Sequence, residues 1–468
     1  MRFSVLFGHP VPTTQSVNLS LLRALRIVIA ADSDPVRQVL FGNLKQARRL
    51  VRLAYQAHAR VAGTWASALL VSAYAVAYFL RISPPPVSGA TILAVAKHAN
   101  ARRQIDRVCG WVGEEHCGRI RTTLGYRGAI SGLLCLISPA SMGRLFQALR
   151  IVGLLDRRYG FLVACRSAAA IAWYVRTKGI LATHRPGAVL VSSDSNPEEV
   201  GFTAAAAALA VPRIFVSHAY PTPFSPALDF DLSILEGEAA LRSRMRRGPI
   251  RGEIVLAGVE GESAPLDVGR FERKTPVIGI FAPKAISWPT LATVIDECRE
   301  TFAPRQIVIR WHPSRLDQAR HLHSLSDLSG IEESPMTAAL TDVARRCDWV
   351  IADENSNVHL PVLKLGIPTV VVKGLGLYPE SRSDMYGFAA AGVVFAPVRS
   401  LKDIRGSAFK AFFDEGWTGR FRQYDASYLR PHGEIRAEVR QAVWRLIDAA
   451  RVTNTDRTAT KVERAGVL

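Results

Sequence analysis

Ten short runs, almost wholly apolar, punctuate residues 91–395 and alternate with stretches of helical periodicity. Strands that read as continuous apolar runs are buried on both faces, the pattern of a parallel sheet with helices above and below it. Thr91–Ala96, Gly187–Ser193, Arg213–Ser217, Asp231–Leu235 and Glu253–Ala257 form a first series, with a helix at Glu198–Ala210 inside it. Val277–Phe281, Gln306–Arg310, Trp349–Ala352, Thr369–Val372 and Gly392–Phe395 form a second, with helical stretches at 287–302, 315–324, 336–346 and 356–365. Residues 261–275 are polar, carry neither period, and divide the two series as a linker. The chain is therefore expected to be α/β, with two doubly wound domains. Its boundaries read as a basic, apolar helical region at 1–88, domains at 89–260 and 276–430, a closing helix at 431–452 and a polar tail at 453–468. Such sheets bind ligands beyond the carboxyl ends of their strands, so a site is expected in a cleft between the two.

The charge is distributed unevenly. The formal net charge is +19, and residues 1–190 hold 25 Lys and Arg against 6 Asp and Glu, leaving the remainder balanced. A basic part beside a neutral part points to an anionic partner. The surplus lies among apolar helices, with no aromatic-basic interleaving and no nucleic-acid reading motif, so an anionic membrane surface is expected and nucleic acid is not. Leu44–Arg60 alternates basic and apolar residues as an amphipathic helix would, and Val61–Leu80 is 20 residues without a charge. Together they read as an interface-lying pair, with burial in the protein or a true span as the other readings of Val61–Leu80. The apolar run after Arg2 is cut by His9, Pro10 and Pro12, unlike a secretory leader. A peripheral or monotopic place on the cytoplasmic side of an inner membrane is expected. The six cysteines show no metal-binding spacing, so no metal is expected and reduced thiols are.

Two segments of the second series carry chemistry. Arg310-Trp311-His312-Pro313 follows a strand directly, which sets a bidentate phosphate donor and an imidazole at the cleft. Asp353-Glu354-Asn355-Ser356-Asn357 lies between a strand and a helix, where Asn355 or Ser356 as N-cap would leave backbone N–H groups for a phosphate. In the first series, Ser217-His218-Ala219, Leu235-Glu236-Gly237 and Ser193-Asp194-Ser195 each follow a strand. His218 ranks first as a general base, followed by Glu236 and then Asp194, which reads either as a base or as a carboxylate that orients the histidine. Walker A, dinucleotide, metalloprotease and nucleophile-elbow motifs are all missing.

In this order, the strand–R-x-H-P element, the D-x-x-I-x-D strand–helix junction and the Leu365-Gly366-Ile367-Pro368 turn resemble the second domain of GT-B glycosyltransferases. The nearest patterns are capsule-polysaccharide transferases, CDP-glycerol glycerophosphotransferases and bacterial sialyltransferases, over roughly residues 187–397. The resemblance implies two Rossmann-like domains, acceptor-binding then donor-binding, with Arg310, His312 and Ser356 on the donor's phosphates and Asn355 or Asn357 in place of a second Ser. It further implies metal-independent transfer, without a cofactor, of a glycosyl or polyol-phosphate group. The donor would be a nucleotide-activated sugar or polyol, first a cytidine nucleotide, and the acceptor a surface saccharide or a lipid-linked one. The junction here reads Ala-Asp-Glu-Asn-Ser-Asn where those families carry T-D-Y-S-S. A UDP-sugar epimerase-like enzyme and a non-catalytic membrane-associated saccharide-binding scaffold are the alternatives.

Overall fold

A computed structural model describes residues 19–32, 65–83, 89–122, 161–222, 225–313, 329–335, 337–377 and 383–465. The strands of the first part are β1 (Ile82–Ser83), β2 (Ile92–Val95), β3 (Cys117–Arg119), β4 (Arg121–Thr122), β5 (Ala188–Val191), β6 (Arg213–Val216), β7 (Asp229–Leu235) and β8 (Arg251–Leu256). Six of them form a parallel sheet in the order β3-β2-β5-β6-β7-β8, and β1 pairs with β4 antiparallel. Successive residues of these strands face opposite sides. Leu93, Val95, Val189, Val191 and Phe215 enter one core, and Ile92, Ala94, Leu190, Ile214 and Val216 the other. Burial on both faces explains the continuous apolar runs.

Helices Leu19–Asp32, Trp65–Leu80, Phe161–His184 and Pro197–Ala208 contribute to the first of these cores. Residues of the basic opening region are thus part of the first domain. Val71, Ala75 and Phe79 of Trp65–Leu80 are buried, whereas Leu69 and Leu70 on its outer side are 58% and 44% exposed. Its 16 residues rise about 24 Å, short of a hydrocarbon layer of ~30 Å. Among the described residues no helix is long and apolar enough to cross a membrane, and Val61–Thr64 of the expected segment lie outside them. Leu44–Arg60 and the helix expected at 315–324 lie outside the described residues.

The second domain holds β9 (Val277–Phe281), β10 (Gln306–Arg310), β11 (Ile331–Glu333), β12 (Trp349–Ala352), β13 (Thr369–Val372) and β14 (Phe395–Val398). They form a parallel sheet in the order β11-β10-β9-β12-β13-β14. The last strand begins three residues later than the apolar run suggests, because Gly392 turns the chain at φ +66° while Val393 and Val394 are buried ahead of the strand. The two helices expected at 336–346 and 356–365 contract to Leu340–Arg345 and His359–Lys364, and the closing helix extends over His432–Ala465. That last helix returns to the first domain, where Ile435, Val439, Ala442, Val443 and Ile447 complete the second of its cores.

The linker is anchored, contrary to its polar reading. Ala264 and Asp267 donate backbone N–H bonds to Lys364 and Gly366, and Phe271 stacks on Phe409 at 4.0 Å. Where the chain leaves the first domain at Val259 and returns to it at Asp425–Ser427, one buried cluster holds both crossings. The Lys364 ammonium donates to the Val259 carbonyl at 2.5 Å and lies 3.3 Å from the Asp425 carboxylate. Asp425 in turn accepts the backbone N–H groups of Val259 and Ser427, each at 3.0 Å. Gly258, at φ +71°, borders this cluster so closely that a Cβ would lie 2.3 Å from the Asp425 carboxylate.

Breaking one partner of such a pair leaves a buried charge uncompensated. Lys364→Met should therefore lower the unfolding free energy by ~3–5 kcal/mol, measured from urea denaturation. A loss within the ~0–1 kcal/mol typical of exposed pairs would show that the cluster does not hold the crossings.

Candidate active site

Numbered from its own first strand, the second sheet runs 3-2-1-4-5-6, and its order reverses between β9 and β12. Ligands of such sheets sit beyond the carboxyl ends at that reversal. Arg310 ends β10 opposite Phe281 of β9, with its guanidinium 5.8 Å from the Phe281 ring. The segment is fixed by buried Trp311, whose indole N–H donates to Glu333 at 2.7 Å. Arg310 is partly buried and has no carboxylate partner among the described residues. Burial and the guanidinium of Arg103, from the first domain, both push its pKa down. A like charge from the first domain thus lies near enough to Arg310 to oppose its own. His312 follows, partly exposed.

The junction after β12 is arranged differently from its expected role. Asp353 accepts the N–H groups of Asn355 and Gly376 at 3.0 and 2.9 Å, and Glu354 accepts the Ser383 hydroxyl at 2.7 Å. The Asn355 side-chain carbonyl accepts the Met385 N–H at 2.8 Å, so this oxygen holds the 383–385 loop. Ser356 accepts the Val358 N–H at 3.4 Å, and the helix begins only at His359 with Val358 as its N-cap. This corrects the reading of Asn355 or Ser356 as the N-cap. Asn357 is half-buried beside Tyr386.

Three candidate groups, His218, Asp194 and Glu236, follow strand ends of the first domain. The first sheet, numbered likewise, runs 2-1-3-4-5-6 and reverses between β2 and β5. The His218 Nδ1 contacts the Ser192 carbonyl, an acceptor, so this nitrogen carries the hydrogen and Nε2 is left as the basic one. Burial lowers the His218 pKa, which keeps the ring neutral near pH 7. Asp194 is engaged by buried Arg244, which also donates to the Pro226 carbonyl at 2.9 Å. That ion pair corrects the reading of Asp194 as a free base and leaves it as a charge near His218. Glu236 is buried, accepts the Ser217 hydroxyl at 2.6 Å, and is pushed up to about 7 by burial. It is a carboxyl that exchanges a proton near neutrality.

Sequence reasoning passed over the carboxyl end of β2. Lys97 lies 2.5 Å from Glu198, His98 is depressed by burial and by Lys97 and His218, and Arg103, which bonds Asn100 at 2.6 Å, lowers the pKa of Arg310. Beside Glu198, fully buried Glu199 is pushed up to about 8 by desolvation. The run Lys97-His98-Ala99-Asn100-Ala101-Arg102-Arg103 after an apolar strand was the available signal. The cysteines among the described residues, Cys109, Cys117, Cys165, Cys298 and Cys347, are all unbridged.

Fold and site define a protein of two parallel α/β domains whose strand ends converge on a cationic cleft. No protein-family model and no curated protein matches the sequence. Among solved structures it is similar to the UDP-N-acetylglucosamine 2-epimerase from Rickettsia bellii, at 11% identity over 76% of this chain and 96% of that one, with a TM-score of 0.45. It is also similar to the MnaA–UDP co-structure from S. aureus, at 12% identity, 72% and 92% coverage and a TM-score of 0.43. A third is the glycosyltransferase SnogD from Streptomyces nogalater, at 14% identity, 78% and 98% coverage and a TM-score of 0.37. At this distance no residue role passes from them to this chain.

The raised Glu236 pKa fixes a sign. An unfolded glutamate ionises near ~4.3, so above that pH the unfolded state gains free energy that the buried carboxyl does not. The stability attached to this proton is present below the unfolded pKa and is lost as pH rises through about 7. Glu236→Gln should therefore gain on the parent protein between about pH 5 and pH 7 and hold a constant advantage above. Urea midpoints measured across that range check this, and a pH-independent difference would remove the raised pKa.

Proposed function

We propose that the protein is a glycosyl or polyol-phosphate transferase that uses a nucleotide-activated donor and a saccharide or lipid-linked acceptor. One observation carries this reading: Arg310 ends a strand without a carboxylate partner among the described residues, and burial and then Arg103 of the other domain both push its pKa down. A partly buried guanidinium with a second, exposed one near enough to repel it favours a bound anion, and a nucleotide's phosphates supply one. On this reading His312, two residues after Arg310, and Ser356 belong to the donor side.

The proposed step follows from these groups. The acceptor hydroxyl gives its proton to His218 Nε2, and its oxygen bonds to the transferred carbon or phosphorus. The bond to the donor's phosphate oxygen breaks, and the charge left on that phosphate meets Arg310 and Arg103. Asp194, near His218, favours the imidazolium that forms, and its partner Arg244 opposes it. The epimerase reading draws on Glu236, whose proton affinity near neutrality suits moving a proton to and from a sugar carbon. It gives an altered free nucleotide sugar instead of a transfer product.

Arg310→Ala should weaken nucleotide-sugar binding by roughly ten- to a hundredfold, measured by calorimetry over cytidine and uridine donors. His218→Ala should lower turnover far more than donor affinity. Normal donor affinity in folded Arg310→Ala would defeat the phosphate assignment. Loss of turnover in Glu236→Gln with retention in His218→Ala would transfer the base role to Glu236.

We further propose peripheral attachment to an anionic membrane, supported by the basic surplus before residue 191. At about 1 kcal/mol per well-placed cation, a few such residues suffice, and salt screens them. The protein should sediment with anionic vesicles and be released by high salt. Indifference to vesicles would end this reading.

A further inference from the structure

We propose that the cavity between the domains, lined by Arg242, Arg246 and Arg247 on one side and Tyr220, Tyr386 and Tyr424 on the other, binds an anionic saccharide, a sugar bearing a phosphate or a carboxylate. The cavity holds about 770 Å³, within the range of small-molecule sites. Its arginines come from the end of the Glu238–Met245 helix and the two residues after it. Its aromatic wall is built from both domains. Tyr220 stacks on Tyr424 with centroids 5.2 Å apart and meets Tyr386 edge-on at 6.1 Å.

Not every charge there meets a carboxylate among the described residues. Arg242 pairs with Glu238 at 3.3 Å and with Gln423 at 2.8 Å, whereas exposed Arg246 has no carboxylate partner among the described residues. Burial pushes the phenols of Tyr220 and Tyr424 up, and Arg242 and Arg246 both oppose that rise, so both guanidiniums lie close to the aromatic wall. Asp384, the carboxylate lining the cavity, accepts the N–H groups of Ala389 and Ala390 at 3.2 and 2.8 Å. A helix C-terminus by itself accounts for nearby cations. It does not account for a wall of tyrosines assembled from both domains. Planar guanidiniums bind phosphate or carboxylate through paired hydrogen bonds, and a tyrosine face receives the C–H face of a pyranose.

The cavity also adjoins the reacting groups. Tyr220 follows His218 by two residues and feels the charge of Glu236, and the 383–385 loop is tied to Glu354 and Asn355. This position makes the ligand the acceptor, an assignment that rests on the transferase reading; the binding of the anion does not.

Calorimetry on the full chain tests it with glucose 1-phosphate, glucuronic acid, glucose and inorganic phosphate. Binding of either acidic sugar in preference to glucose supports the site, and the tighter of the two names the charged group. Glucose 1-phosphate should exceed inorganic phosphate, because the ring adds contact with the tyrosines. Arg246→Ala should weaken acidic-sugar binding by about tenfold or more, with partial recovery in Arg246→Lys. Arg310→Ala should leave it unchanged. Equal affinity for glucose and the acidic sugars, or unchanged affinity in Arg246→Ala, overturns the proposal. Loss of binding in Arg310→Ala alone would place the anion on the donor side. A protein that turns over no nucleotide sugar yet binds acidic sugars through Arg246 would retain this site while losing the transferase reading.

Discussion

The buried pair of Lys364 with Asp425 fixes where the two domains stand relative to one another. Both chain crossings between them pass this point, and both are bonded to it: Val259 through its N–H and C=O, and Ser427 through its N–H and hydroxyl. An apolar replacement of the same volume would avoid the desolvation cost of two charges, and in many proteins such a swap is neutral or stabilising. Here it would leave the Val259 and Ser427 backbone groups unpaired in a site that excludes water. The pair therefore contributes position more than net stability. The opposition of Arg103 and Arg310 depends on that position, because no local structure brings residues of two separate sheets together.

Desolvation then sets the electrical character of the cleft. Glu236 and Glu199 are pushed up to about 7 and about 8 by burial, whereas His218 and Arg310 are pushed down. Carboxyls that hold their protons near neutrality do not cancel the cations around them. A chain segment with Lys97, Arg102, Arg103 and Arg107 within eleven residues consequently presents more positive charge than a count of acids implies. Part of the basic surplus of the first 190 residues belongs to this wall and to contacts such as Arg107 with the Ala257 and Gly258 carbonyls, not to an external surface. Groups whose environments drive their proton affinities apart are what acid–base chemistry requires, and His218 and Glu236 end neighbouring strands with such environments.

The strands of the second sheet were largely legible. Val277–Phe281, Gln306–Arg310, Trp349–Ala352 and Thr369–Val372 match the apolar runs because both faces of each are covered. Cys117–Arg119 and Ile331–Glu333 were not, since each is a sheet edge with polar residues and no run. The apolar segment ending at Phe395 misled for the opposite reason, as buried valines in a turn carry the same signature as a strand. Arg310 was legible as a cation at a strand end. Its partner across the cleft was not, because Arg103 lies about two hundred residues away and ordinary surface arginines look the same. At the junction, residue types told less than geometry: Asn355 and Ser356 have capping chemistry, yet the helix starts three residues past Ser356 and Asn355 fastens a loop.

Chemistry and hinge meet at one hydrogen bond. The backbone carbonyl of Glu236 accepts the N–H of Ala426 at 2.9 Å, the residue between Asp425 and Ser427 in the returning crossing. The side chain of Glu236 is held from the other side by Ser217, one residue before His218. A shift of the crossing would therefore move the carboxyl, the hydroxyl that orients it and the loop carrying the imidazole together. On the outgoing crossing, Arg107 grips the Ala257 and Gly258 carbonyls from the same helix that carries Arg103. Both candidate proton carriers and the first-domain guanidinium thus take their places from the two segments that join the domains. The cleft's width and its reacting groups are, in this fold, one mechanical system.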